Sequence, residues 1–77
     1  MEERLKRIMA DIFKLSPKEI NDDTSPDNVK EWDSLGQINM ALAIEVEFNV
    51  SLSDEDILAM KNYGLIKIIL HDLGVQD

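Results

Sequence analysis

Residues 34–48, SLGQINMALAIEVEF, contain the pattern that decides the fold. Apolar side chains at positions 40, 44 and 48 recur every four residues, which is the spacing of one face of an α-helix. Because each residue advances a helix by about 100°, Ile38 and Met40 lie about 160° apart around the axis. This helix therefore has two apolar sides, and the second side is a row of Leu35, Ile38, Leu42 and Val46.

We expect the row that contains Met40, with Ala41 beside it, to face a core. A helix at the edge of a small bundle cannot bury both of its sides, so the row from Leu35 to Val46 is left for a partner. The alternative is a central helix that the rest of the chain covers on all sides.

The chain before this helix begins with a second amphipathic segment. Apolar residues between positions 5 and 13 follow helical spacing and form one stripe. Ser16-Pro17 ends this helix, because proline disfavours helical geometry at the residue before it. Ser16 can cap a short turn that runs to Ile20.

Residues 21–33, NDDTSPDNVKEWD, predict a long surface loop, because they are turn formers without periodicity. We expect Val29 and Trp32 to anchor this loop to the core. A loop of this length in so small a domain is often functional.

The remaining chain predicts one short helix and one longer helix. Asn49 ends the helix of residues 34–48, and residues 53–56 (SDED) resemble a capping box that starts the short helix. Residues 62–64 (NYG) are expected to form the break between the short helix and the last helix, which carries the apolar residues 65–70. Gly74 suits the position after a helix end.

The predicted fold class is all-α, a small bundle of three long helices and one short helix, in a single domain covering residues 1–77. A rival β interpretation comes from residues 45–53 (EVEFNVSLS), which alternate with a period of two, but a lone strand would have no partner. No run approaches the roughly 18 apolar residues of a membrane span, and the first residues do not resemble a secretion signal. We expect a cytoplasmic protein that does not insert into membranes.

Composition excludes several classes of function. The net charge is −8, which argues against binding to nucleic acid. Residues 19–56 hold eleven acids and one base, so this zone is expected to attract basic surfaces. Cysteine is absent and there is one histidine, His71, so we expect no disulfide, no thiol nucleophile, no metal site and no catalysis. We interpret His71 as a structural or surface residue.

Ser34 lies where the loop gives way to the helix. A helix N-terminus carries unpaired N–H groups and the positive end of the dipole, so a phosphate on this hydroxyl would be stabilised. The simpler interpretation is an ordinary capping role, in which either Asp33 or Ser34 caps the helix.

These residues resemble a known family. Trp32-Asp33-Ser34-Leu35, followed by an apolar helix that ends in EVEF at residues 45–48, is similar to the acyl carrier proteins, and the similarity extends over nearly the whole chain. The resemblance implies 4′-phosphopantetheine on Ser34, within the Asp33-Ser34-Leu35 motif. A phosphopantetheinyl transferase would attach this group from coenzyme A with Mg²⁺.

The resemblance also implies partners and cargo. A monomeric, non-catalytic carrier would hold acyl intermediates as thioesters and present them to acyl-transfer, condensing or ligase enzymes of fatty-acid, polyketide, or related lipid or polysaccharide biosynthesis. Basic patches on those enzymes would contact a recognition surface, and the acyl chain would enter a pocket between helices. The recognition residues are Leu35, Ile38, Leu42, Val46, Glu45, Glu47, Asp54, Glu55 and Asp56, and the pocket residues are Met40, Ile57 and Ile68.

Some positions depart from the fatty-acid pattern, in which acids follow the Asp-Ser-Leu motif and recur one turn later. Here those positions are Gly36 and Asn39, and Val46 interrupts a usual run of glutamates. The chain therefore resembles a specialised carrier more than a housekeeping one.

Two other hypotheses remain open from the sequence. The first is an acidic helical docking or regulatory module without a prosthetic group, which presents the row from Leu35 to Val46. The second is a small hydrolase that uses Ser34, which needs a general base that the neighbouring sequence does not provide.

Overall fold

The computed structural model describes residues 1–76, and this part of the chain contains four α-helices and no β-strand. The prediction of an all-α bundle with three long helices and one short helix is confirmed, and the β interpretation of residues 45–53 is wrong. None of the helices in the described part combines the length and hydropathy needed to cross a bilayer. The elements are α1 (Glu2–Phe13), a 3-10 turn (Pro17–Glu19), α2 (Ser34–Phe48), α3 (Asp54–Ala59) and α4 (Tyr63–Asp72).

The helix boundaries follow from capping groups in the sequence. The Ser16 hydroxyl caps the 3-10 turn and the Ser53 hydroxyl caps α3, each with an acidic residue three positions later that completes a capping box. Asn49 ends α2 in the left-handed conformation, with φ of 55°. The expectations for Ser16, Ser53 and Asn49 are therefore confirmed.

The two apolar rows of α2 have different surroundings. Met40 and Ile44 are completely buried and Ala41 is nearly so, whereas Leu35, Ile38, Leu42 and Val46 are all exposed. The buried row joins a core that also contains Leu5, Met9 and Phe13 of α1 and Ile66 and Leu70 of α4. The interpretation of α2 as a helix covered on all sides is wrong, because the remaining elements cover only one of its sides.

The loop at residues 21–33 is held by buried side chains, as expected for Val29 and Trp32. The Trp32 ring stacks on the Phe13 ring of α1, with centroids 5.0 Å apart and planes inclined by 15°. Thr24 is also buried, and its hydroxyl accepts a hydrogen bond from the Asn21 N–H at 2.9 Å. The loop that leads into α2 is therefore anchored near its start by Thr24 and near its end by Val29 and Trp32.

The start of α4 differs from the prediction. The break between α3 and α4 lies at residues 60–62 and not at residues 62–64: Asn62 caps α4 by accepting a hydrogen bond from the Leu65 N–H at 2.7 Å, and the helix begins at Tyr63. The loop supplies further acceptors, since the Tyr63 N–H donates to the Thr24 carbonyl at 2.9 Å and the Gly64 N–H donates to the Asp22 carbonyl at 3.2 Å. These contacts satisfy the first N–H groups of the helix, so glycine at its second position is tolerated.

Tyr63 also connects the start of α4 to the start of α1. Its buried ring places the hydroxyl where it donates to the Glu2 carboxylate at 3.0 Å, and Lys67 lies 3.4 Å from the same oxygen. The hydrogen bond from Tyr63 and the charge of Lys67 lower the pKa of Glu2. Lys67 also pairs with Asp22 at 2.8 Å, which raises the pKa of the Lys67 amine.

The Glu2 contact predicts a stability that depends on pH. Because the pKa of Glu2 is lower in the folded than in the unfolded chain, its carboxylate stabilises the fold above the unfolded pKa of about 4.3, and this stabilisation is lost as the pH falls through the folded value. We expect the Tm of the wild type to fall more steeply between about pH 5 and about pH 3 than that of Glu2→Gln, by a small margin because Glu2 is half exposed.

Glu3→Gln is the matched control, because Glu3 is exposed beside Glu2 and makes no ion pair within residues 1–76. It should follow the wild-type curve. Parallel curves for the wild type and Glu2→Gln would show that the Tyr63 contact does not contribute.

Candidate functional site

Ser34 is the first residue of α2, and its side chain is exposed. Asp33 is the capping residue: its Oδ1 accepts a hydrogen bond from the Gly36 N–H at 2.8 Å, and its carbonyl accepts one from the Gln37 N–H at 2.8 Å. Of the two capping residues considered from the sequence, Asp33 is therefore the one used. The Ser34 hydroxyl is left free at the positive end of a helix of 15 residues.

Gly36 explains why no larger residue follows the Asp-Ser-Leu motif. A Cβ atom at this position would overlap the carbonyl oxygen of Glu31 and would lie 3.0 Å from Cε1 of Phe13. The end of the loop therefore passes directly against the first turn of α2. An acidic side chain at position 36, as in fatty-acid-type carriers, does not fit this arrangement.

Two adjoining depressions flank Ser34, between α2, α3 and the loop. Ser34, Gln37 and Leu58 border both of them. One depression is mainly apolar and is completed by Ile38, Ile57 and Asp54, and the other lies against the loop and is bordered by Trp32, Asp27 and Lys61, among others. A group attached to Ser34 would thus have an open groove on either side.

Gln37 was not singled out from the sequence, yet its side chain makes more contacts than any other polar group at this end of α2. The amide nitrogen donates to the Ile57 carbonyl at 2.6 Å and to the Met60 carbonyl at 3.2 Å, and the amide oxygen accepts a hydrogen bond from the Trp32 indole N–H. No short-range pattern identifies this role, because the acceptors lie twenty and more positions further along the chain.

The exposed row of α2 forms an apolar ridge that starts beside Ser34. Its four residues, Leu35, Ile38, Leu42 and Val46, retain between 53 % and 85 % of their accessible surface. Leu58 of α3, which is 75 % exposed, lies across the groove from the ridge. Contiguous exposed aliphatic side chains of this kind are typical of surfaces that bind another molecule.

The acids predicted to surround this ridge are divided in their contacts. Glu47 pairs with Arg4 at 2.6 Å, Glu45 accepts a hydrogen bond from the Leu52 N–H at 2.8 Å, and Asp56 accepts one from the Ser53 N–H at 3.1 Å. Asp54 and Glu55 are exposed in the first turn of α3, and their side chains make no hydrogen bond or ion pair within residues 1–76. Only part of the acidic set is therefore available to another molecule.

The three residues expected to line an acyl pocket lie in different places. Met40 is completely buried in the core, Ile57 borders the apolar depression at Ser34, and Ile68 is exposed beside a separate depression that also contains His71. Met1, Glu2 and Lys67 border that second depression, so Ile68 lies on another side of the bundle from Ser34. The structure thus does not bring Met40, Ile57 and Ile68 to one cavity.

Comparisons with known proteins identify the class to which this arrangement belongs. Residues 3–66, a stretch that includes Ser34, match the family model described as a phosphopantetheine attachment site. The chain therefore belongs to the phosphopantetheine attachment family. A relative named acyl carrier protein, from Petrotoga mobilis (strain DSM 10674 / SJ95), is 26 % identical over 76 residues, which cover 97 % of this chain and 89 % of the relative.

Within this family the chain is a carrier of the acyl carrier protein type, and its cofactor is 4′-phosphopantetheine. It is a carrier and not an enzyme, as was expected. Membership in the family also removes the hypotheses of a docking module without a prosthetic group and of a hydrolase. The exposed hydroxyl and the adjoining groove at Ser34 fit such a group, because they leave room for a phosphodiester and for an extended arm.

The contact at Gly36 predicts the effect of a single methyl group. Gly36→Ala should lower the free energy of unfolding by about 1–3 kcal/mol, because the new Cβ displaces the Glu31 carbonyl, and the gain in helix propensity of at most about 1 kcal/mol does not offset this. Chemical denaturation measures the change.

Asn39→Ala is the control, because Asn39 is exposed in the same helix and alanine favours the helix there. This variant should be as stable as the wild type or slightly more stable. A Gly36→Ala protein with undiminished stability would mean that the loop can move away from α2 at little cost.

Proposed function

We propose that Ser34 is the residue that carries the 4′-phosphopantetheine group, and that the chain holds acyl intermediates on it. The observation that supports this proposal is the exposed Ser34 hydroxyl at the first position of α2, freed by the capping role of Asp33 and bordered by a groove. Other exposed serines, such as Ser51, lack a long helix behind them.

The local electrostatics favour a phosphodiester at Ser34. The first N–H groups of α2 lack intrahelical partners, and the Asp33 side chain takes only the one of Gly36. The remaining positive end of the helix dipole stabilises a negative charge on the serine oxygen. When attached, the group supplies the thiol that the cysteine-free chain lacks, and cargo is carried on that thiol as a thioester.

The partners in this proposal are a phosphopantetheinyl transferase and enzymes that load, extend or remove acyl groups, in fatty-acid, polyketide, or related lipid or polysaccharide biosynthesis. We favour a specialised pathway over the main fatty-acid cycle. The first three turns of α2 carry no charged side chain, from Ser34 to Ile44, so this helix itself offers partners an uncharged surface, and the charges beside Ser34 come from α3 and the loop. The protein acts as a monomer in this proposal, and enzymes come to it one at a time.

The docking surface has two parts. The apolar ridge of α2, with Leu58 across the groove, contacts an apolar area of the partner. Asp54 and Glu55 form an acidic rim on the α3 side that contacts lysine or arginine, since these acids are not engaged within the described chain. Glu45, Glu47 and Asp56 act within the chain, because each already binds another group there.

Mass spectrometry tests the attachment residue. The apo protein is incubated with coenzyme A, Mg²⁺ and a phosphopantetheinyl transferase of broad specificity, and the intact mass is measured. Wild type and the matched control Ser51→Ala should each gain one phosphopantetheine, and Ser34→Ala should gain none. Labelling of Ser34→Ala, or an unchanged wild-type mass, would contradict the proposal.

Transferase kinetics test the docking surface. With the carrier as the varied substrate, the double variant Asp54→Asn/Glu55→Gln should raise KM by about threefold to tenfold at low salt, because two exposed ion pairs are lost. The effect should shrink as added salt screens the charges.

Glu47→Gln is the contrasting variant, since Glu47 pairs with Arg4. It should lower the Tm slightly and leave KM unchanged. Equal increases in KM for both variants would place the acidic contact on α2 as well as on α3.

A further inference from the structure

Helix α3 is the element least supported by packing. It has six residues, none of which is buried, and helices of this length are not stable in isolation. Its N-terminus is fixed locally by the capping box of Ser53 and Asp56. At its C-terminus the Ile57 carbonyl accepts the Met60 N–H at 3.2 Å, and the acceptor capacity that remains on the last carbonyls is open to hydrogen-bond donors from elsewhere in the chain or from water.

The Gln37 side chain provides this donor. One amide nitrogen donates to two carbonyls at the C-terminal end of α3, those of Ile57 and Met60. Gln37 lies one helical turn after Ser34 on the same face of α2, and both residues border the same two depressions. The bonds that hold α3 in place are therefore made from the helix that presents Ser34.

The same amide also connects α3 to the loop before Ser34. Its oxygen accepts the hydrogen bond from the Trp32 indole, and the Trp32 ring is fixed against Phe13. The three hydrogen bonds of Gln37 together fix a single orientation of its amide group. The planar amide cannot rotate without losing the bonds to α3 and the bond to Trp32 together.

We propose that Gln37 is a positioning residue for docking: its amide holds α3 so that Asp54, Glu55 and Leu58 stand beside Ser34 for the incoming enzyme. This inference rests on the proposed function of Ser34 and of the acidic rim. One side chain, which itself need not touch the partner, thus holds the acidic rim in place. Loss of the amide removes the side-chain hydrogen bonds at the C-terminal end of α3 and leaves the buried Met60, directly after the helix, as the anchor of that end, while the apolar contacts among α1, α2 and α4 remain.

Kinetics with the broad-specificity phosphopantetheinyl transferase and coenzyme A test the proposal on the intact chain. Gln37→Met keeps the length of the side chain and removes its hydrogen bonds, and Gln37→Glu keeps the acceptor for Trp32 but removes the donors to α3. Both should raise KM for the carrier by about threefold to tenfold with kcat nearly unchanged. The matched amide control is Gln76→Met, at an exposed position outside the bundle, which should behave as wild type.

A double-mutant cycle separates positioning from a general loss of stability. In the wild-type background Asp54→Asn/Glu55→Gln raises KM, and in the Gln37→Met background the same change should add little, because the acids are no longer held in place. Hydrogen exchange supplies a second readout, with faster exchange expected at residues 54–60 and unchanged exchange in the middle of α1 and α2. Additive effects on KM would overturn the proposal, as would unchanged exchange at residues 54–60.

The outcomes distinguish this inference from the proposal beneath it. If wild type is not modified at Ser34, the proposed function itself fails. If wild type is modified and Gln37→Met has the wild-type KM, only the role of Gln37 fails. Should Gln37→Met melt below the assay temperature, Gln37→Glu and the exchange measurement on that variant decide the question, because the carboxylate introduced by Gln37→Glu still accepts the hydrogen bond from the indole.

Discussion

The close approach of the loop to the first turn of α2 constrains the whole end of the molecule that contains Ser34. Because the Glu31 carbonyl lies where a side chain at position 36 would begin, the chain must turn sharply between Glu31 and Ser34. That turn places the Trp32 ring on Phe13 and leaves Asp33 as the capping residue. Ser34 therefore neither packs in the core nor caps the helix, and it is exposed.

The division of α2 into a buried and an exposed row follows from the side on which the other described elements pack. Within residues 1–76, three further helices and a loop cover Met40, Ile44 and the residues around them, and none of these elements lies over the opposite side. The ridge lies at the surface directly next to Ser34, so one helix both contributes to the core and carries the surface that we propose for docking.

Periodicity and capping signals predicted most of the fold, and long-range contacts account for what they missed. The rows of α1 and α2, the cap at Ser16 and the capping box at Ser53 were predicted correctly because they depend on neighbours in sequence. Tyr63 and Gly64 looked like a break because their N–H partners, the carbonyls of Thr24 and Asp22, lie about forty residues earlier. The internal contact of Glu47 with Arg4 and the bonds of Gln37 to α3 are likewise invisible in any short window.

Trp32 has a further consequence, because it is the one tryptophan in the chain. Its indole N–H is bonded to the amide that fixes α3, its ring lies on α1, and its backbone is two residues away from Ser34. The intrinsic fluorescence of this side chain therefore reports on the junction of the loop, α2 and α3, and no added label is needed. The molecule therefore contains its own optical probe of the surroundings of Ser34.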